Sequence, residues 1–258
     1  MTSRGFSAVL SRAAFRLPIL VGVAFRDRLQ ATIRAARPVL EEPGVLIVGS
    51  EVPNLLEPGA AATLVVSQDL DVGIPIDLRA AVKRRLVDLK GLHQSSEEPS
   101  VFAPGSPDLL EVNFVGIDPA LDPAEAYLLD DSHLPLLVFG ALSLLSPGAE
   151  IVLGETRVRL PQVAGIFLEK LVTDRTGEKG ERDLLVALAL MKVARPDDLD
   201  SLGEVYRRLR PELRHTVRSN LTILSLMDSR EGMPDPRPHR ADVAALLRRL
   251  EAHDPDAP

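Results

Sequence analysis

The chain has 258 residues, of which 45% are hydrophobic and 26% are charged, so its composition is that of a globular protein with one large or two small domains. It contains no cysteine, which excludes disulfides, thiolate chemistry and cysteine-based zinc sites and favours a reducing, cytoplasmic setting. The formal net charge of -7 argues against general electrostatic binding of nucleic acid, and an aromatic content of 3% argues against a stacking platform for single strands.

The N-terminal region, residues 1–42, is predicted to be mostly helical. The apolar stretch over 17–25 is too short to span a bilayer and lacks a small-residue cleavage site. It is therefore predicted to face the core rather than to act as a secretory signal, and no membrane contact is predicted. Leu29 and Ile33 recur about one helical turn apart, and Pro38 is predicted to end their helix.

Between residues 43 and 160, short apolar runs bounded by Gly and Pro predict strands. The predicted strands are Val45–Val48, Thr63–Ile74 and Leu109–Ile117, followed by a hairpin over 150–160 that turns at Gly154-Glu155. A helix is predicted over 77–90, with Asp77 as its N-cap. The polar, proline-rich stretch over 93–108 is predicted to be a loop, and the apolar run over 134–145 suits a strand or a helix equally.

After residue 160 the pattern becomes helical. Pro161 is predicted at the first position of a helix. Helices are expected over 162–175 and 181–194, and then near 199–209, 212–227 and 241–251. The predicted organisation is an N-terminal helical segment (1–42), an α/β core with a mixed sheet (43–160) and a helical C-terminal domain (161–258).

Two aspartates, Asp69 and Asp71, lie inside the second predicted strand. Because side chains alternate along a strand, both should point to the same face, about 6.6 Å apart along the chain. Two carboxylates at that spacing can converge on divalent cations, which would offset their mutual repulsion. A solvent-facing edge strand is the alternative explanation.

A third acid, Glu111, lies inside a later predicted strand between Leu110 and Val112. It should share a face with Asn113, which suits either a site residue or an exposed alternate position. Other catalytic patterns find no support, because the histidines have no ligand spacing and the chain has neither a nucleophile elbow nor a Walker-type phosphate loop.

The first strand ends in Gly49-Ser50, the next contains Asp69 and Asp71, and a later strand contains Glu111. The order of these features resembles the core of the nucleotidyltransferase superfamily. The C-terminal half is similar to the AbiEii-like bacterial nucleotidyltransferases, in which a helix with a lysine precedes an arginine and a basic-Asp-Leu sequence that opens the next helix. The matching positions are Lys170, Arg175, Lys179, Arg182 and Asp183. The resemblance implies a nucleotidyltransferase-like α/β core with a mixed sheet, followed by a helical domain.

The same resemblance implies that Asp69, Asp71 and Glu111 bind Mg²⁺, with Glu111 also able to act as general base. Gly49 and Ser50 would approach the phosphates of a nucleoside triphosphate, which is the substrate. The implied reaction transfers a nucleoside monophosphate to an acceptor hydroxyl and releases pyrophosphate. The implied acceptors are a tRNA, a protein or a small molecule, and an AbiE-type relative would act as a toxin.

The matched basic residues would contact the nucleotide. A solvated surface is the alternative explanation for these residues, and Asp183 is alternatively a helix cap. These four basic residues are Lys170, Arg175, Lys179 and Arg182.

The chain also departs from the superfamily pattern. Glutamate stands at position 111 where aspartate is common, and Pro53 and Pro58 predict that the helix after Gly49-Ser50 is short or distorted. The residues before Asp69 lack the basic side chain that many relatives carry there. These departures motivate a second hypothesis, a catalytically silent nucleotide-binding or partner-binding module on the same fold. In that case Gly49-Ser50 can be an ordinary strand-ending turn.

Overall fold

The computed structural model describes residues 24–58, 65–173, 177–252 and 254. Most of the apolar stretch over 17–25 and the first part of the predicted N-terminal segment lie outside these residues. Within the described parts of the chain, no helix combines the length and the apolar character needed to cross a membrane.

The N-terminal helices pack into the apolar core together with the strands of the sheet. Helix α1 covers 24–35 and α2 covers Arg37–Leu40, so the first helix ends before Pro38, as predicted. Leu29 and Ile33 of α1 are fully packed in the core. The Thr32 hydroxyl donates to the Arg28 carbonyl at 2.8 Å and accepts from the Leu110 amide at 2.7 Å. This pair of bonds fixes the start of the strand that carries Glu111.

The central sheet is mixed, as predicted. Its strand order is β1-β2-β5-β4-β3, and β7 pairs with β5 beyond the point where β4 leaves it, while β6 pairs with β7. Strands β2 and β5 are parallel, and β1 and β4 run antiparallel to their neighbours β2 and β5. The strands of this sheet are β1 (Leu46–Ile47), β2 (Asp69–Pro75), β3 (Leu92–Gln94), β4 (Val101–Pro104), β5 (Glu111–Ile117), β6 (Ala126–Leu129) and β7 (Leu136–Phe139).

The second strand is shorter than predicted, because β2 begins at Asp69 and residues 65–68 are not in a strand. The backbone before Asp69 is bonded to other partners. The Asn54 side chain donates to the Val65 carbonyl at 2.8 Å and accepts from the Val65 amide at 3.2 Å, and the Val66 amide donates to the Gly232 carbonyl. The aspartates therefore stand at the beginning of a strand rather than in its middle.

Two stretches differ from the sequence prediction in their local structure. The predicted helix over 77–90 is a 3-10 turn, the helix α4 (Arg79–Arg85) and a second 3-10 turn. Asp77 is exposed within the first turn and caps nothing, because the N-cap of α4 is Leu78. The predicted loop over 93–108 contains most of β3 and all of β4, whose backbones pair with neighbouring strands of the sheet.

The ambiguous run over 134–145 holds both kinds of structure, with β7 followed by a 3-10 helix over Gly140–Leu144. The hairpin is as predicted: β8 (Pro147–Leu153) and β9 (Thr156–Pro161) form a separate two-stranded sheet. Gly154 supplies the positive φ of +62° that its two-residue turn requires. Pro161 does not begin a helix, because it ends β9 and pairs with Pro147.

The C-terminal region is helical, as predicted, with α5 at its centre. Every residue of α5 is buried, and it packs against α6, α7 and α8. The short helix α3 (Val52–Leu56) packs against α6 and so brings the turn at Gly49-Ser50 against the helical region. The apolar core is continuous across residue 160, and the division into domains at 42 and 160 stays a prediction. The helices are α5 (Val163–Val172), α6 (Gly177–Val193), α7 (Pro196–Arg208), α8 (Pro211–Leu226) and α9 (Arg240–Ala252).

Candidate active site

The two aspartates of β2 occupy one face of the sheet. Asp69 and Asp71 are half-buried, whereas Leu70 and Val72 between and after them are fully buried on the other face. The alternation follows from the strand geometry, as the sequence predicted. A semi-buried carboxylate pair of this kind needs a positive or hydrogen-bond-donating partner, because both charges are partly removed from water.

The parallel register between β2 and β5 sets what faces the aspartates. Asp69 pairs with Glu111, and Asp71 pairs with Asn113. Paired residues in neighbouring strands lie on the same face, so these four side chains form one polar patch, which we call the carboxylate patch. The register therefore places Glu111 on the face of Asp69 and Asp71, while the roles of these acids stay predictions.

Asn113 is a member of the patch to which the sequence assigned no function. Its Nδ2 donates to Asp69 Oδ2 at 3.2 Å and to Asp71 Oδ1 at 3.3 Å, so one amide group lies between the two carboxylates. Its Oδ1 is buried and has no hydrogen-bond partner in the described chain. The Ser67 hydroxyl also donates to Asp69, at Oδ1. Sequence reasoning noted Asn113 only as a neighbour of Glu111 and could not identify this bridge without the register.

The turn at Gly49-Ser50 lies directly against Asp71. The Val48 amide, just before the turn, donates to the Asp71 carbonyl at 3.0 Å. A Cβ at Gly49 would come within 2.1 Å of Glu51 Oε2 and 2.9 Å of Asp71 Oδ2. A larger residue at position 49 would therefore require the carboxyl groups of Glu51 and Asp71 to move.

Glu51 is the acid that sequence reasoning missed. It is completely buried at the N-cap of α3, and its Oε2 has no hydrogen-bond partner within the described residues. Burial raises its pKa well above the ordinary value, and Asp71 and then Asp69 raise it further, while its own backbone amide and Lys170 act in the opposite direction. The available signal was a single acid directly after Gly49-Ser50 and before an apolar run.

Glu111 lies at the more open end of the patch. Partial burial raises its pKa, and the charges of Asp69 and Glu98 raise it further. Glu98 precedes β4, which the sequence did not predict, so its approach to Glu111 was not foreseen. A carboxyl group whose pKa moves towards neutrality is better suited to exchange protons near pH 7.

The matched basic residues have different environments. Lys170, on α5, is 6% exposed, and its Nζ lies 2.8 Å from Glu169 Oε2 and 3.9 Å from Asp183 Oδ1. Asp183 lies well inside α6, so it does not cap that helix. Lys179 is exposed, as the solvated-surface alternative expects, and Arg175 lies outside the described residues.

Arg182 connects the helical region to the carboxylate patch. Its Nη2 donates to Ser50 Oγ at 3.2 Å and to the Val66 carbonyl at 3.0 Å. It therefore fixes both the turn and the segment that leads into β2. The Ser50 hydroxyl lies 3.5 Å from Glu51 Oε1. The resemblance implied that Arg182 contacts the nucleotide, and its bonds to the turn were not predicted.

The patch fits a cation held partly by a substrate. Among the described residues, no group of three or more His, Asp or Glu side chains is arranged to hold a metal ion. Mg²⁺ is usually bound through one or two carboxylates together with substrate phosphates rather than by an all-protein cage. Asp69 and Asp71 supply such a pair, and the buried oxygens Glu51 Oε2 and Asn113 Oδ1 lack a donor in the described chain.

Comparisons with known proteins add little to this site. No protein-family model and no curated protein matches the chain. Among solved structures, the chain is similar to an antigenic nucleotidyltransferase-like protein from Paracoccidioides brasiliensis, with 14% identity over 86% of this chain and 93% of that chain and a TM-score of 0.46. At this TM-score nothing about the site or its chemistry follows from the likeness.

Replacing Lys170 tests its buried placement. Lys170→Met keeps the length of the side chain but leaves the carboxylates of Glu169 and Asp183 without their ammonium partner. We expect a loss of about 3–5 kcal/mol in the free energy of unfolding, measured by urea denaturation. Lys179→Met, at the exposed position, is the control and should change stability by no more than about 0.5 kcal/mol. Equal stability of the two variants would contradict the buried ion pair.

Glu51 makes stability depend on pH in a defined direction. Its folded-state pKa is raised above 4.5, so its contribution is fully present below pH 4.5 and is lost as the pH rises towards the folded-state pKa. The slope is at most about 1.4 kcal/mol per pH unit. Glu51→Gln cannot ionise, so it should gain stability relative to the parent protein between about pH 5 and pH 8 in urea denaturation. A difference that stays constant over this interval contradicts the raised pKa.

Proposed function

We propose that the protein is a metal-dependent nucleotidyltransferase, which transfers a nucleoside monophosphate from a nucleoside triphosphate to an acceptor hydroxyl. The observation that carries this proposal is the carboxylate patch. Asp69 and Asp71 stand side by side on β2, with Glu111 opposite Asp69 across a parallel register. The turn at Gly49-Ser50 lies against Asp71, and in this proposal its backbone would approach the phosphates of the substrate.

In this proposal Asp69 and Asp71 hold Mg²⁺. The bound ion supplies neutralisation of the triphosphate charge and a lower pKa for the acceptor hydroxyl. The patch keeps these carboxylates half-buried, and the hydrogen bond from Ser67 fixes the orientation of Asp69. Carboxylates held in this way need little rearrangement when a cation and a substrate arrive.

In this proposal Glu111 acts as general base. It would take the proton of the acceptor hydroxyl as the acceptor oxygen forms its bond to the α-phosphorus. The bond between the α-phosphorus and the bridging oxygen breaks, and pyrophosphate leaves with the electron pair. Its raised pKa and partial exposure support this role, because the group must both reach the acceptor and accept a proton.

Arg182 and the turn would bind the triphosphate. The hydrogen bonds of Arg182 to Ser50 and Val66 both come from Nη2, and in this proposal the N–H groups of Nε and Nη1 bind phosphate oxygens beside Ser50. Lys179 is exposed on the same helix and would add a mobile positive charge. Lys170 has a structural role in this proposal. Its ammonium lies between the buried carboxylates of Glu169 and Asp183 and would stabilise the helices that carry the site.

The acceptor class is open among a tRNA, a protein and a small molecule, and an AbiE-type toxin is one form of the proposal. A net charge of -7 provides no general attraction for a large RNA surface. The search for the acceptor therefore begins with protein and small-molecule pools, followed by tRNA. Mass spectrometry of each pool after incubation with isotopically labelled nucleoside triphosphates would identify the modified species.

A second candidate is a catalytically silent nucleotide-binding or partner-binding module. The bridge from Asn113 favours it, because the protein's own amide already satisfies part of the charge of Asp69 and Asp71. Such a module would bind a nucleoside triphosphate in isothermal titration with Mg²⁺ but would release no pyrophosphate in the presence of any acceptor pool.

Asp71→Asn is the direct test of the enzyme. We expect it to abolish pyrophosphate release and label transfer, while folding stays intact or becomes slightly more stable because one charge leaves a repulsive cluster. Thermal unfolding without metal measures the stability. Asp77→Asn, at an exposed position outside the patch, is the control and should keep full activity.

Two results would overturn this assignment. A clear loss of stability in metal-free Asp71→Asn would make the aspartate a structural residue. Binding of nucleoside triphosphate with no difference in pyrophosphate release between the parent protein and Asp71→Asn would support the silent module instead.

A further inference from the structure

The amide of Asn113 occupies an unusual position between two like charges. Its Nδ2 donates to one oxygen of Asp69 and to one oxygen of Asp71, at 3.2 and 3.3 Å. The same amide carries a buried Oδ1 without a hydrogen-bond partner in the described residues. One planar group therefore presents a satisfied donor to the aspartates and an unsatisfied acceptor on its other side.

The side-chain amide of Asn113 can present either a hydrogen-bond donor or an acceptor to the aspartates. The donor and acceptor of Asn sit on one planar group, and the torsion that exchanges them is broad and roughly two-fold. A half turn of Asn113 would bring Oδ1 between the carboxylates and move no backbone atom of β5. In the absence of a cation that orientation is unfavourable, because it would place three oxygens together.

The backbone holds Asn113 in place for such a turn. Its register partner is Asp71 on one side and Val101 of β4 on the other, so β5 is flanked on both edges at this point. The neighbours Val112 and Phe114 are buried on the opposite face. The position of the Asn113 Cβ is therefore fixed, and only the side-chain torsions are free to respond.

We propose that Asn113 is a cation-responsive ligand. Its NH₂ group separates the charges of Asp69 and Asp71 when no cation is bound, and its Oδ1 coordinates the divalent cation that these aspartates hold. This inference rests on the proposed function, because it requires that Asp69 and Asp71 bind a divalent cation. Amide oxygen is a suitable ligand for hard cations such as Mg²⁺ and Mn²⁺.

Binding of Mn²⁺, followed by the electron paramagnetic resonance signal of the free ion, tests the proposal without an activity assay. Asn113→Leu removes both the donor and the oxygen, and we expect it to weaken Mn²⁺ binding by about tenfold or more. Asn113→Asp keeps an oxygen but removes the donor, so it should bind Mn²⁺ at least as tightly as the parent protein and unfold at a lower temperature without metal. Asn220→Leu is the matched control.

Asn220 lies on α8, away from the patch, and its amide donates to the Leu171 carbonyl at 2.7 Å. Its replacement should leave the Mn²⁺ affinity unchanged. A second measurement covers the case in which Asn113→Leu fails to fold. The side-chain amide signal of Asn113 in a ¹⁵N spectrum of the parent protein should shift on addition of Mg²⁺.

The outcomes separate this inference from the function on which it rests. Because substrate phosphates hold part of the cation, Mn²⁺ is titrated with and without a non-hydrolysable nucleoside triphosphate analogue. If the parent protein binds Mn²⁺ in neither case, the proposed function fails, and this inference fails with it. If the parent protein binds Mn²⁺ and Asn113→Leu binds it equally or more tightly, only the role of Asn113 is overturned. An Asn113 amide signal that does not move with Mg²⁺ overturns the same role.

Discussion

The parallel register of β2 with β5 is the constraint on which the candidate site depends. It places Glu111 opposite Asp69 and Asn113 opposite Asp71 on one face, while the opposite face is packed into the core. A slip of either strand by one residue would turn its two polar side chains of the patch into that core, at a large cost in desolvation. The hydrogen bond that the Leu110 amide, just before β5, donates to the Thr32 hydroxyl of α1 helps to hold this register.

The helical region contributes positively charged side chains to the candidate site. Arg182 of α6 bonds the Gly49-Ser50 turn, and Lys170 of α5 provides the positive charge that partly offsets the burial of Glu51. The sheet supplies acidic side chains and the helices supply basic side chains, so neither region alone would form the candidate site. This division agrees with the continuous apolar core that joins the two regions.

The sequence predicted what local patterns determine and missed what long-range pairing determines. Alternation identified the shared face of Asp69 and Asp71, and turn residues identified the hairpin at Gly154. The predicted start of β2 was wrong. Val65 is bonded to the Asn54 side chain instead of to a neighbouring strand, and this contact joins segments that lie apart in the sequence. Glu51 was missed for the same reason: its burial against Asp71 depends on how β1 pairs with β2. The proposed magnesium and nucleotide come from the resemblance and the patch, and they stay proposals.

The central claim is that Asp69 and Asp71 hold the metal of a nucleotide-transfer site. A crystal structure of the protein with Mn²⁺ and a non-hydrolysable nucleoside triphosphate analogue, with anomalous diffraction from manganese, tests it most directly. The account predicts anomalous density at the carboxylates of Asp69 and Asp71, with triphosphate beside Gly49-Ser50. Nucleotide bound elsewhere, or at the turn without manganese at these carboxylates, would contradict it.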